Sequence, residues 1–313
     1  MLPRNSFTRS DALGDFLVSR RAPKVRQKSM RFDVITPHSL DDALGALASG
    51  ERLVPLAGGT DLMVYIEAGT QPPCTFLNLQ ELSRLRPALS IGGASLTLGA
   101  LTTYREVRRS SVCVQFPMLG WAAREIGALA IQSRGTWAGN IANASPAADG
   151  VPALMAYDAE IELSSRKGSR RVPLSKFYRG YKQMDLRDDE LITAIHLPLP
   201  QPGPSGWADY YRKVGTRRFQ AISKTLLAGR IRIDANRIVQ DVRLIFASVA
   251  PYTLRAVHTE NLVRGQHLTP DLIDEAAAAI QDEIHPIDDI RSTENYRRQV
   301  TSNLVRDFLS RQR

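Results

Sequence analysis

The pattern of apolar and polar positions divides the first 200 residues of the chain into short strands and helices. Ser39 followed by 40–47 has the spacing of an amphipathic helix that a serine side chain caps. Short apolar or alternating runs predict strands, and the paired glycines at 92 and 93 predict a hairpin turn. The predicted strands are 53–57, 75–79, the hairpin 89–100, 159–163 and 191–197, and further helices are expected at 104–108 and 118–126.

A cluster of prolines and glycines at 198–206 interrupts this pattern and predicts a linker. Three strand-like runs and two helical patterns follow it, at 207–214, 228–234, 238–248, about 270–284 and 293–311. We therefore expect two folded domains: an α+β domain over 30–205, and a C-terminal α+β domain over 206–313 with a three-stranded antiparallel sheet and helices.

Composition and charge separate the beginning of the chain from the rest. Of 313 residues 43% are hydrophobic and 23% charged, which is ordinary for a globular protein with a real core. The net charge is +9, and 1–29 alone contributes +5. We expect 1–29 to be a flexible, solvated basic extension, with contact to nucleic acid or an acidic partner as the alternative. Polar and basic residues follow Arg20-Arg21, so a twin-arginine export signal is not expected.

The cysteines and histidines argue against a metal centre in this chain. Cys74 and Cys113 are too few for the four thiolates of an iron–sulfur cluster, and they lack metal-ligand spacing. The five histidines are scattered, so we expect surface or packing roles for them. A disulfide framework is not expected, which fits a reducing, cytoplasmic setting. There is no run of 18 apolar residues, so we expect no membrane span.

Two segments carry the candidate chemistry. In the first, 55–62, a short strand runs into Gly58-Gly59, where main-chain N–H groups can converge without a Cβ in the way. It is neither a Walker loop nor a Rossmann fingerprint, and a plain tight turn is the alternative. The second, 126–152, is rich in Gly, Ala, Asn, Ser and Thr, and small residues allow close approach to a bulky planar ligand. A tightly packed loop without a ligand is the alternative there.

Taken together, these segments resemble a known family. The sequences LAGGTDL at 56–62 and RGTWAGNIANASPAADGVPALMA at 134–156 are similar to the FAD-binding signature of the molybdenum hydroxylase flavoproteins, within the superfamily of vanillyl-alcohol oxidase type. The segment 211–224, YRKVGTRRFQAISK, resembles an element of the bacterial medium subunits. Residues 247–260 resemble the start of the family's C-terminal domain. The resemblance covers about 30–313 and implies a two-subdomain FAD-binding domain followed by the C-terminal domain.

The resemblance also implies roles for individual residues. The residues that would wrap the FAD pyrophosphate are Pro55, Leu56, Ala57, Gly58, Gly59, Thr60, Asp61 and Leu62. The residues expected along the flavin chain and diphosphate are Thr136, Gly139 and Asn140, and those near the ribityl, phosphate and adenosine parts are Asn143, Ser145 and Asp149. Ile192 is expected near the adenine and Lys213 at the cofactor. Two alternatives stay open: Asp149 as the cap of a helix near Val151, and Lys213 as an exposed strand residue. Trp137 is expected in the core.

The function implied is electron transfer by non-covalently bound FAD, since neither loop holds the His or Cys that covalent attachment in the superfamily uses. A large subunit would carry the molybdenum cofactor, a small subunit would carry two 2Fe–2S clusters, and NAD⁺, a quinone or oxygen would accept the electrons. No catalytic side chain is expected in this chain. One alternative is a self-contained FAD-dependent reductase or oxidase of the same superfamily. Another is a non-enzymatic assembly or binding protein. A nucleic-acid binder is not expected, because the charge concentrates in the extension.

Overall fold

A computed structural model describes residues 32–82, 85, 89–200 and 206–313. The predicted basic extension at 1–29 lies outside the described residues. Residues from Phe32 to Arg313 form one compact unit. Within the described ranges, no helix is long and apolar enough to cross a membrane.

The first part of this unit is a small parallel sheet with two helices. Its elements are β1 (Asp33–Ile35), α1 (Leu40–Leu47), β2 (Leu53–Leu56), α2 (Leu62–Glu67) and β3 (Thr75–Asn78). β3 lies in the middle and pairs in parallel with β1 and β2. The predicted cap is confirmed, because the Ser39 hydroxyl accepts a hydrogen bond from the Asp42 amide at 3.0 Å. The turn at 57–61 joins β2 to α2, with Gly59 in the left-handed region at φ +72°.

The second part is a five-stranded antiparallel sheet with six helices inserted into it. The elements are β4 (Ser90–Gly92), β5 (Ser95–Gly99), α3 (Tyr104–Arg109), α4 (Val112–Gln115), α5 (Pro117–Glu125), α6 (Leu129–Arg134), α7 (Trp137–Asn143), α8 (Gly150–Ala156), β6 (Glu160–Ser165), β7 (Gly168–Pro173), β8 (Tyr178–Gly180), β9 (Gln183–Met184) and β10 (Leu191–Pro198). The sheet order is β4-β5-β10-β6-β7, and β8 and β9 form a separate hairpin. The predicted hairpin at 89–100 is confirmed, with Gly92 opposite Ser95. Trp137 is fully buried, as expected.

The small-residue segment 126–152 differs from the expected loop. It contains all of α6 and α7 and the start of α8, because alanine is a good helix former and small side chains let short helices pack closely. The reading of this stretch as a loop was therefore wrong in its local structure.

The C-terminal part is an antiparallel sheet with helices on one face. Its elements are β11 (Trp207–Val214), β12 (Thr225–Ile233), β13 (Val239–Ala247), β14 (Leu254–Arg255), α9 (Val257–Val263), α10 (Pro270–Glu283) and α11 (Glu294–Ser310). The three predicted strands and two predicted helices are present. A fourth strand, β14, joins the edge of β13 through two residue pairs, so the prediction of three strands is corrected to four. Two residues are too short a run for the apolar pattern to indicate a strand.

Both faces of this C-terminal sheet are buried. Leu226, Ala228, Ile245 and Ala247 pack into the core shared with the preceding part of the chain. The neighbouring positions, among them Leu227 and Phe246, pack into a second core with α9, α10 and α11. The period of two along a strand explains this division, since adjacent side chains point to opposite faces.

Candidate functional site

The two candidate segments meet at their glycines. A Cβ placed on Gly58 would lie 2.0 Å from the carbonyl oxygen of Arg134, and one on Gly135 would lie 3.3 Å from Oγ1 of Thr60. Only residues without a Cβ can approach so closely, so glycine is required at position 58 for a packing reason. The segments 55–62 and 134–156 therefore form one continuous wall.

This wall borders two cavities. The larger has a volume of about 940 Å³, and five of the predicted site residues line it: Asp61, Asn140, Asn143, Ser145 and Asp149. The smaller has a volume of about 340 Å³ and is lined by Ala57, Gly58 and Thr136 together with residues of α3 and α6. Half of the predicted residues thus border a cavity.

The other predicted residues line neither cavity. They are Pro55, Leu56, Gly59, Thr60, Leu62, Gly139, Ile192 and Lys213. The Gly139 amide donates to Oγ1 of Thr136 at 3.0 Å, so the Thr136 side chain caps α7. Ile192 is buried on β10 opposite Leu163. Lys213 lies on β11 and reaches the larger cavity through Asp149.

Asp149 and Lys213 form a buried ion pair at the larger cavity. The Lys213 ammonium donates to Oδ2 of Asp149 at 2.7 Å and to the Glu125 carbonyl at 3.0 Å, and the two side chains are only 5% and 13% exposed. Burial raises the pKa of Asp149 to about 6, and the neighbouring ammonium opposes that rise. Asp149 is the N-cap residue of α8, as the alternative had it, but its side chain makes no capping hydrogen bond. The alternative for Lys213 is wrong, because Lys213 is not an exposed strand residue.

A second polar cluster lies on the wall formed by α2, α7 and the β8–β9 hairpin. Oδ1 of Asn143 accepts from the Tyr65 hydroxyl at 3.0 Å, and the Asn143 amide donates to Asp61 at 2.9 Å. The Lys182 ammonium donates to the side-chain and main-chain oxygens of Asn143. Burial raises the pKa of Asp61 and lowers the pKa of Lys182, and the opposite charge of each partner moderates the other's shift.

The C-terminal part closes the larger cavity from the other side. The lining includes Gln220, Ser223, Ser248 and five residues between 285 and 291. Ser248 donates from its hydroxyl to the Ser223 carbonyl at 3.0 Å, and the buried Arg297 donates to the Ser248 carbonyl at 2.8 Å. The cavity is therefore walled by residues from both sides of the linker.

Three non-glycine residues of this lining have left-handed backbone conformations. They are Lys182, Gln220 and Ser248, with φ of +56°, +52° and +66°. Such conformations are uncommon outside glycine and cluster at functional sites, where the surrounding structure holds them in place. This clustering supports a functional role for the larger cavity.

Comparison with known families agrees with this geometry. Residues 30–200 match the FAD-binding domain in molybdopterin dehydrogenase, and residues 210–312 match the CO dehydrogenase flavoprotein C-terminal domain. The two matches follow each other in order along the chain. The chain belongs to the FAD-binding medium subunits of the molybdenum hydroxylases.

Relatives of this medium subunit span nearly its whole described length. The glyceraldehyde dehydrogenase medium chain of Sulfolobus acidocaldarius is 32% identical over 276 residues, covering 88% of this chain and 95% of the relative. The xanthine dehydrogenase FAD-binding subunit of Escherichia coli O157:H7 is 27% identical, covering 89% and 96%. A solved carbon monoxide dehydrogenase from Hydrogenophaga pseudoflava superposes with a TM-score of 0.83 at 25% identity, covering 88% and 95%. The predicted α+β class and the assignment to oxidoreductase subunits are confirmed.

The medium subunit's larger cavity fits FAD. Two buried polar atoms on its lining, Oδ1 of Asp149 and Oγ of Ser223, have no hydrogen-bond partner among the described residues. A carboxylate oxygen and a hydroxyl left unpaired inside a protein are costly, and a ligand with amide-like N–H and C=O groups would satisfy both. The isoalloxazine ring carries such groups. The lining of the same cavity also includes Ile126, Ala128 and Ile131, which provide apolar surface for a flat ring.

Sequence reasoning missed four residues of this site: Tyr65, Lys182, Ser223 and Ser248. Ser223 lies within the quoted 211–224 segment, so that segment was a usable signal. The sequence around Lys182 carries none, because the residue reaches Asn143 only through the β8–β9 hairpin. Across the described residues, no group of three or more His, Cys, Asp or Glu side chains is arranged to hold a metal ion.

Proposed function

We propose that this medium subunit passes electrons from the 2Fe–2S clusters of a small partner subunit to an external acceptor, within a complex whose large subunit carries the molybdenum cofactor. When bound, FAD supplies the redox chemistry, because it accepts electrons singly and releases them in pairs. The observation that carries the proposal is the shared cavity, because its lining comes from both parts of the chain that match family domains.

The chain's own residues have positioning roles in this proposal. We assign the pyrophosphate to 55–62, the flavin chain and diphosphate to Thr136, Gly139 and Asn140, and the adenine to Ile192. The remaining predicted contacts along the cofactor are Asn143, Ser145, Asp149 and Lys213. The Asp149–Lys213 pair would hold β11 against α8, so that the two sides of the cavity keep a fixed spacing. We propose cofactor-binding and C-terminal domains over 30–205 and 206–313.

The proposal also covers how FAD is attached, which acceptor is used and where in the cell the protein works. FAD is held without a covalent bond, since neither of the segments 55–62 and 126–152 holds the His or Cys that covalent attachment would need. The acceptor belongs to the class of NAD⁺, quinones or oxygen. A cytoplasmic setting is supported by Cys74 and Cys113, both of which are free thiols.

The first test is spectroscopic. The purified chain should show oxidised-flavin absorption, and acid precipitation should release FAD into the supernatant, as expected for a non-covalent cofactor. A colourless protein that takes up no FAD, even with its partner subunits, would contradict the proposal and favour a non-enzymatic assembly role.

A second test separates the electron-transfer subunit from a self-contained flavoenzyme. Affinity-tagged chain is purified after expression with and without its neighbouring subunits, and bleaching of the flavin is followed anaerobically. Reduction by the substrate of the complex should require the molybdenum and iron–sulfur subunits. Rapid catalytic turnover of an organic substrate by the isolated chain would favour the self-contained reductase or oxidase.

A further inference from the structure

The smaller cavity carries two guanidinium groups. Arg105 of α3 and Arg134 of α6 both line it, together with Ala57 and Gly58 of the glycine turn and Thr136 at the start of α7. The last three are among the residues assigned above to the pyrophosphate and diphosphate of FAD. The two cationic side chains and these assigned residues therefore border the same space.

Neither guanidinium is paired with a carboxylate. Nη1 of Arg105 donates to Oγ of Ser133 at 3.3 Å, and Nη2 of Arg134 donates to Oε1 of Gln80 at 3.1 Å. Both of these partners are neutral, and within the described part of the chain neither arginine forms an ion pair within 4.0 Å. A guanidinium has five N–H donors, so each arginine keeps donors and a full charge for a ligand.

The charge of the lining differs between the two cavities. The smaller one sets Arg105 and Arg134 against a single carboxylate, Glu106, which accepts hydrogen bonds from the amide and the hydroxyl of Thr103 at 2.7 and 2.8 Å. The larger one has equal numbers of cationic and carboxylate side chains: Lys182, Arg291 and Arg297, and Asp61, Asp149 and Asp289. The smaller cavity therefore suits a diphosphate with two negative charges, and the larger one suits a neutral ring.

One cofactor can reach both cavities, because the same segments border them. Thr136 lines the smaller cavity and Asn140 the larger one, and four residues of helix separate them by about 6 Å along α7. Gly58 and Asp61 border the smaller and the larger cavity in the same way, and three residues of chain span at most about 11 Å. An extended FAD is longer than either distance, so its ring and its diphosphate can occupy different cavities.

The residue expected at the adenine is also close to the smaller cavity. Ile192 precedes Thr193 on β10, and the Thr193 carbonyl accepts a hydrogen bond from the Ala100 amide at 3.0 Å. The residue after Ala100, Leu101, lines the smaller cavity. β10 therefore places Ile192 within a few residues of this cavity, where the adenine end of the cofactor would follow the diphosphate.

We propose that the guanidiniums of Arg105 and Arg134 bind the diphosphate of FAD at the smaller cavity, beside Ala57 and Gly58. The planar fork of N–H donors in arginine matches the oxygens of a phosphate and can donate two parallel hydrogen bonds to them. The two residues then favour FAD over riboflavin, which has no phosphate, an inference that rests on the proposed place of the pyrophosphate at 55–62.

The rival explanation is a purely structural role for the two arginines. Arg105 joins α3 to α6 through Ser133, and Arg134 joins α6 to the segment after β3 through Gln80. Loss of these contacts would loosen the wall between the cavities and weaken FAD binding to the same extent at every salt concentration. Loss of an ionic contact weakens binding mainly at low salt, where charges are screened least.

The experiment removes FAD from the purified full-length chain and measures the Kd for added FAD by flavin fluorescence, at low and at high NaCl concentration. Arg105→Met and Arg134→Met should each raise the Kd about tenfold at low salt, as expected for the loss of a hydrogen bond between charged groups, and much less at high salt. Arg105→Lys and Arg134→Lys keep the charge, so they should recover part of the affinity and the salt dependence. Arg109→Met removes an equal charge from the exposed end of α3, outside both linings, and is the matched control.

A second variant covers the case in which the arginine variants do not fold. Glu106→Gln removes the carboxylate of the smaller cavity and keeps an oxygen for the Thr103 hydrogen bonds, so it should lower the Kd for FAD at low salt. Wild-type Kd values in the Met variants, or losses of equal size at low and high salt, would overturn the inference. Where those variants do not fold, an unchanged Kd in Glu106→Gln would do so. Failure of the proposed function looks different, because the wild-type chain would then bind no FAD, or would hold FAD that its partners do not reduce.

Discussion

Lys213 on β11 lies with its ammonium 2.7 Å from Oδ2 of Asp149, a residue 64 positions earlier in the chain. The pair is buried and joins the C-terminal sheet to α8 across the linker. A buried pair adds little to stability by itself, but the loss of one partner leaves an uncompensated charge. The integrity of the site therefore depends on both residues together.

Lys213→Met should destabilise the protein by about 3–5 kcal/mol, because Asp149 would stay buried without its partner. Urea unfolding of the apoprotein measures the loss, and released FAD measures the effect on the cofactor. Lys167→Met serves as the control, since Lys167 is 86% exposed and its ion pair with Asp189 should contribute at most about 1 kcal/mol. Equal effects of the two substitutions would show that the buried pair is unimportant.

The raised pKa of Asp149 predicts how stability changes with pH. Its folded value of about 6 exceeds the usual 3.8, so the folded state binds the proton more tightly. Ionisation then costs the wild type about 3 kcal/mol as the pH rises from about 4 to above 6. Asp149→Asn has no carboxyl group to ionise. The unfolding free energy of this variant should therefore rise relative to that of the wild type, by about 3 kcal/mol between pH 4 and above pH 6. Parallel stability curves between pH 4 and 7 would contradict the prediction.

Glu190 provides the opposite case. Hydrogen bonds from Arg170 hold the pKa of Glu190 below its usual 4.5, so the folded state favours the ionised form. The resulting stabilisation is fully present above pH 4.5 and is lost as the pH falls through the folded pKa. Glu190→Gln should therefore differ most from the wild type near neutral pH, and the difference should shrink in acid. Chemical unfolding at several pH values measures it, and a constant difference would refute the prediction.

Gly58→Ala should lower stability by about 1–3 kcal/mol and reduce FAD content, because its Cβ would overlap the backbone of Arg134. Gly45→Ala is the matched control, since nothing lies within 4 Å of a Cβ there, inside α1. That change should stabilise the protein by about 0.5–1 kcal/mol. Thermal unfolding and the ratio of flavin to protein absorbance measure both variants. A Gly58→Ala protein with normal flavin content would show that the segments need not touch.

A second buried ion pair, between Arg230 and Asp209, lies outside the cavity and gives a similar prediction of lost stability. Its guanidinium lies 4.5 Å from the ring centroids of both Trp207 and Tyr157 and 2.9 Å from Oδ1 of the buried Asp209. Arg230 and Asp209 therefore form a buried ion pair.

Arg230→Met should cost about 3–5 kcal/mol in urea unfolding, and a second change, Asp209→Asn, should recover part of it. Arg306→Met, which breaks an exposed pair with Asp274, should cost at most about 1 kcal/mol. An additive double variant would mean that Arg230 and Asp209 do not depend on each other.

The sequence alone correctly predicted features that depend on residues close together in the chain. The Ser39 cap and the hairpin with its turn after Gly92 are set by side chains and backbone within a few positions, so local rules suffice. The same rules missed α6 and α7, because a run of small residues indicates a loop and a tightly packed helix equally well. They also missed β14, which exists only through its pairing with β13.

The candidate site shows the same difference between features set by nearby residues and features set by distant ones. The family signature indicated the glycine segments, but the contact of Gly58 with Arg134 depends on a backbone that lies 76 positions later in the chain. Tyr65 and Lys182 reach Asn143 from 78 and 39 positions away. Such contacts follow from the fold as a whole, and neither residue belongs to a motif that would reveal them.

The two buried faces of the C-terminal sheet bear on how the protein is made. While the first 200 residues emerge from the ribosome, the core around Phe116 and Tyr157 lacks Leu226, Ala228, Ile245 and Ala247, which β12 and β13 have yet to supply. The nascent chain therefore exposes apolar surface until synthesis is almost finished. Separate expression of fragments cut at the linker should yield aggregation-prone halves, whereas their co-expression offers each half its missing surface.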